Sequence, residues 1–76
     1  MACDHRLALE FAKAGDWHSA HEMVQDFGDE LSCLIHAYLH RLEGDLRNAR
    51  YWYRQASITP PENTIAEELE RLSALV

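Results

Sequence analysis

Long apolar runs are missing from this chain of 76 residues. None approaches the roughly twenty consecutive apolar residues that a membrane-crossing helix needs. The opening segment, MACDHRLALEF, has no basic stretch followed by an apolar core, so no secretory signal is expected. Glycine and proline are scarce, at three and two, and no segment is low in complexity. With 47% apolar residues the chain is globular, and its length allows one domain, residues 1–76. Basic side chains are few. Seven stand against thirteen acids, and a net charge of −6 argues against nucleic acid and anionic membrane as partners. Two cysteines are too few for a disulfide framework and read as free thiols of a cytoplasmic protein.

Catalytic signatures are absent as well. The residue after His36 is Ala37, so there is no HExxH motif. Ser19, Ser32, Ser57 and Ser73 lack an elbow motif, and no glycine-rich loop is present to cradle phosphate. Cys33 lies three residues before His36, but nothing supplies an oxyanion hole, and it reads as a small buried residue. No cofactor is expected, and the balance leans away from an enzyme.

Each of the three glycines is followed by aspartate: Gly15-Asp16, Gly28-Asp29 and Gly44-Asp45. Glycine takes the left-handed conformation that ends a helix, and aspartate accepts from the free N–H groups that open the next. Thr59-Pro60-Pro61-Glu62 reads as a further start, with Thr59 as N-cap, Pro60 in the first position and Glu62 closing a capping box. The chain divides into five helices near 4–14, 16–27, 29–43, 45–57 and 60–75, each with an apolar stripe at helical spacing and none with strand alternation. The stripe of the third runs Leu31, Leu34, Ile35, Tyr38 and Leu42; that of the fourth includes Leu46, Ala49, Tyr53 and Ala56. The predicted fold is all-α: hairpins over 4–27 and 29–57 and a capping helix over 60–75, in a right-handed stack. A core this small is marginal alone, so a weak homodimer through the first helix (Leu7, Leu9, Phe11) or the apolar side of the last is expected.

Ala8, Gly15, Asp16 and Ala20 recur as Ala37, Gly44, Asp45 and Ala49, an offset of 29. Trp17 and Val24 map to Leu46 and Tyr53. The pattern Gly-Asp-aromatic/Leu-x-x-Ala, with a small residue seven before the glycine, resembles the tetratricopeptide repeat, and Pro60-Pro61 falls where that repeat places its terminal proline. The period is shorter than the usual ~34. His36 and His40 stand where that repeat has Leu and Tyr. The segment from His36 to Ala56, HAYLHRLEGDLRNARYWYRQA, is also similar to a small bacterial family of uncharacterised helical proteins, a likeness that extends over 15–57 and implies no activity. The repeat resemblance implies a module that binds a peptide or a protein.

Five histidines are many for this length. His36 and His40 are one turn apart and share a face, with Cys33 and Glu43 on that side; His18, His21 and Glu22 cluster on the second helix. Histidine, cysteine and glutamate are zinc ligand types. Cys33 and Glu43 are separated by roughly 15 Å along the helix and cannot join one ion. A third ligand would come from Glu43, His21 or Glu22. The competing reading makes the pair structural, bonded to Tyr51 or Glu22. The helical wheel puts both histidines on a polar face, whereas the repeat register puts them against the partner helix; the register, fixed by the Gly-Asp pairs, is preferred. His5 and His18 read as solvent-facing.

Arg47, Arg50 and Arg54 form a basic stripe on the fourth helix, beside Tyr51, Trp52 and Tyr53. Arginine with aromatics makes binding hot spots and grips anions. The plainer reading pairs the stripe with Glu62, Glu67, Glu68 and Glu70 of a last helix packed beside the fourth. Tyr53 is core by register, leaving Tyr51 and Trp52 free. Two functions emerge: an interaction module using His36, His40, Glu43, Arg47, Arg50, Tyr51 and Trp52, or a metal- or small-ligand-binding protein built on His36 and His40.

Overall fold

A computed structural model describes residues 2–76. It is all-α, with α1 His5–Lys13, α2 Trp17–Val24, α3 Glu30–Leu42, α4 Leu46–Gln55 and α5 Ile65–Leu75. No described helix is long and apolar enough to cross a membrane.

Aspartate opens each of the first four helices. Asp4, Asp16, Asp29 and Asp45 accept from the backbone N–H three residues on, at 3.0–3.2 Å. The closing side is as regular. Gly15 (φ 80°) and Gly44 (φ 81°) are left-handed. Around Gly15, Asp16 N–H donates to Phe11 O and Gly15 N–H to Ala12 O; around Gly44, Asp45 N–H donates to His40 O and Gly44 N–H to Arg41 O. These are two copies of one Schellman turn. They fold α1 on α2 and α3 on α4.

Three details depart from the sequence expectation. Gly28 is not left-handed: α2 ends at Val24, and residues 25–28 make a looser link before Asp29. A third Schellman turn ends α4 instead. Ile58 N–H donates to Tyr53 O and Ser57 N–H to Arg54 O, with Ser57 in the left-handed region (φ 63°). Finally, α5 starts at Ile65, not at residue 60. Thr64 is its N-cap and Glu67 closes the capping box. Thr59–Asn63 are not helical; the Asn63 carbonyl accepts from Arg41 and its side-chain amide donates to Glu68 (3.0 Å).

Helix α3 is the axis of the molecule. It packs against α1, α2, α4 and α5, so residues 32–40 are buried on every face. Ala8, Ala20, Ala37 and Ala49, the recurring small residues, sit in the core and let the helices approach closely. Leu46, mapped to Trp17 by the repeat, is exposed rather than core.

Helix α5 lies on α3 and α1, not beside α4. What joins it to α4 is a buried polar network. Glu68, fully buried, accepts from Tyr53 Oη (2.6 Å), Asn63 Nδ2 (3.0 Å) and the fork of Arg71 (2.7 and 2.9 Å). Burial alone would raise its carboxyl, but the bonds from Arg71, Tyr53 and Asn63 outweigh that and hold it down to about 2. Burial pushes the Tyr53 phenol up, and its place as donor to Glu68 keeps it protonated. Arg41 completes the network, donating to Asn63 Oδ1 (2.7 Å) and Tyr53 Oη (3.3 Å).

Candidate metal centre

His36 and His40 project from α3 toward α2, where His21 meets them. The ring centroids are 4.6 Å apart for His21–His36, 5.4 Å for His21–His40 and 4.9 Å for His36–His40. One nitrogen from each lies within 4.8 Å of the others. His36 and His40 are buried and His21 is half-buried. Both faces of α3 are covered, so neither histidine lies on a polar face as the helical wheel had it; the repeat register, which set them against the partner helix of their own hairpin, is met by His36 through Trp52, whereas His40 faces α2.

Two indoles wall the cluster. Trp52 stacks on His36 at 3.9 Å with planes 15° apart. Trp17 stacks on His21 at 4.6 Å and 12°, and is itself anchored by its Nε1–H donating to Leu39 O (2.6 Å). Trp17 opens α2 one turn before His21, so the N-cap at Asp16 sets the position of both rings. Trp52 is therefore not the free side chain expected from the sequence. Tyr51 is exposed and touches the site only through its edge contact with Trp52.

The nitrogens are not equivalent. His40 Nδ1–H donates to Glu43 Oε1 at 2.6 Å, which fixes the proton on Nδ1 and leaves the Nε2 lone pair free. Among the described residues, His36 Nδ1 is buried with no hydrogen-bond partner. An orphaned nitrogen of this kind costs free energy unless something binds it. Burial, then the neighbouring His21 and His40, lowers the His36 imidazole to about 4. Burial and then His40 lower His21 also, against the opposing pull of Glu43. Both rings are neutral at pH 7, as metal ligation requires.

The remaining sequence candidates are placed elsewhere. Glu22 does not join the pair; it is exposed and meets His18 at the surface (3.0 Å). The expected bond from Tyr51 is not formed either: Glu43 is the partner of His40, and His36 has none. His5, expected in solvent, leans on Asp29 and Ser32, 2.9 Å from each. His40, Glu43 and Asp45 form a second grouping, but Asp45 already caps α4 and Glu43 already holds His40. Arg47, Arg50 and Arg54 are exposed and, among the described residues, have no carboxylate in ion-pair range. The stripe was expected to be consumed by α5, whose buried glutamate belongs to Arg71.

No protein-family description, curated protein or solved structure matches the chain.

Proposed function

We propose that this protein binds a divalent transition-metal ion, zinc by ligand chemistry, on His21, His36 and His40. The observation that carries the reading is the buried, unpartnered Nδ1 of His36 inside a group of three imidazoles drawn from two helices. Three nitrogens at about 2.0–2.1 Å from zinc make three corners of a tetrahedron and leave a fourth for water or an exogenous ligand. Tetrahedral ligation would draw the three nitrogens closer together than they now lie, by rotation about the side-chain torsions. Glu43 supports His40 as carboxylates commonly support metal-bound imidazole. A reducing, cytoplasmic setting fits the two buried free thiols, Cys3 and Cys33.

The test is calorimetric titration of metal-free protein with zinc chloride, with far-UV spectra to certify the fold. We expect one ion per chain with a dissociation constant below about 1 μM. The His40→Leu and His21→Ala variants should remain helical and lose that binding. A folded wild type that takes up no zinc would overturn the reading.

A second reading is the interaction module implied by the repeat resemblance. It is favoured by the unpaired arginines of α4. Because α5 already covers α1 and α3, a peptide would dock on α4 instead.

A further inference from the structure

The trough beside α4 is lined by cationic side chains. Helix α4 carries three arginines and no acid, on a chain whose net charge is −6. Between it and the loop that follows lies a cavity of about 320 Å³, walled by Arg41, Arg50, Leu46, Pro60, Pro61 and Glu62. Pro60 also lines a second hollow of about 430 Å³, with Arg54 and Ser57. Arg41 is held at the inner wall by Asn63 and Tyr53, neutral groups that orient its guanidinium. Arg50 and Arg54 are exposed and one turn apart on α4, Arg50 lining the first hollow and Arg54 the second.

We propose that this trough binds an acidic peptide segment of a partner protein, with carboxylates on Arg50 and Arg54 and an apolar residue between Leu46 and the two prolines. The proposal rests on the interaction reading and names its partner class. Charge decides for an acidic partner, since a basic peptide would meet arginines. The length fits as well. The ten residues of α4 span about 15 Å, the reach of four or five residues of extended chain. Prolines at the wall fix that side of the trough in advance, which lowers the ordering cost of binding. Glu62 is the one acid on the lining, and its charge opposes the ligand. The trough shares no lining residue with the histidine cluster.

The experiment is fluorescence anisotropy with a fluorescein-labelled octapeptide of glutamates around two leucines. Counterparts carry glutamine or lysine in place of glutamate, and a single-stranded oligodeoxynucleotide is the polyanion control. We expect the glutamate peptide to bind and to weaken with salt. Arg50→Gln and Arg54→Ala, both at exposed positions that keep the helical spectrum, should each weaken it about tenfold, and Glu62→Gln should strengthen it. If the glutamine or lysine peptide binds as tightly, the acidic class is overturned while an interaction module survives. If the oligonucleotide binds as tightly, the trough is a general polyanion site and the proposal falls. If no peptide binds, both fall. Binding unaffected by Arg50→Gln and Arg54→Ala together would place the peptide elsewhere and overturn the assignment.

Discussion

Ser57 bears a left-handed φ of 63° in a position where its two counterparts are Gly15 and Gly44. A side chain there costs roughly 1–2 kcal/mol, partly offset in a glycine by unfolded-state entropy. Ser57→Gly should therefore stabilise the protein by about 0.5–1 kcal/mol. Gly44→Ala should cost about 1 kcal/mol or more, because the strain is then new. Gly28→Ala should be neutral or stabilising by up to about 1 kcal/mol, since that residue is not left-handed and a Cβ there meets nothing within 4 Å. Urea midpoints of the three variants check the order. The glycine-aspartate pairs made two of these turns readable in the sequence; Ser57 gave no sign, because a serine does not mark a left-handed position as a glycine does. Glu68 was equally hidden. One glutamate among several on the last helix looks like a solvated residue until Tyr53, Asn63 and Arg71 are seen to converge on it. Glu68→Ala should cost about 3–5 kcal/mol by leaving buried partners unmatched. Acid acts on the same network. The Glu68 carboxyl titrates about 2 in the fold and near 4.5 unfolded, so its stabilisation is complete above 4.5 and is lost as pH falls through 2. His36 works earlier and in the same direction. Its ring is lowered to about 4 from 6.5, so metal-free protein loses stability as pH falls from 6.5 through 4. The urea midpoint followed from pH 7 to 2 should decline in these two successive windows, and a flat profile down to pH 4 would contradict the His36 assignment.

At the scale of elements, the start of α5 separates two sequence patterns of equal appearance. Thr59-x-x-Glu62 and Thr64-x-x-Glu67 both spell a capping box. The second is used because Asn63 is drawn out of helical hydrogen bonding by Arg41 and Glu68, a demand that local spacing does not contain. Thr64→Ala should cost about 0.5–2 kcal/mol and Thr59→Ala almost nothing, as measured by thermal melts. The packing direction of α5 was likewise beyond periodicity. Its stripe showed that it buries one side, but not that α3 and α1, rather than α4, receive it. The arginines of α4 were left unpaired by that choice. The histidine pair was legible because four residues make one turn of any helix, and His21 was within reach once α2 folded back. Glu22 was not distinguishable from His21 by adjacency; the rotation of α2 turns one inward and the other to His18.

For the whole molecule, an ion on the proposed histidine site would tie α2 to α3 across the link of residues 25–28. A ligand that binds only the folded chain adds about 2.7 kcal/mol at a hundredfold excess over its dissociation constant. For a domain of this size that raises Tm by about 10 °C or more. Differential scanning calorimetry with zinc, then with a chelator added, should show the rise and its reversal; the His21→Ala variant should show neither. The two tryptophans of the chain both lie flat against imidazoles of the cluster, Trp52 on His36 and Trp17 on His21. All indole emission from this protein thus originates at one spot. Its colour and lifetime should respond to protonation of those rings and to an ion bound among them. A paramagnetic copper(II) ion would darken both lamps at once, and a protonated imidazole would dim the one it faces.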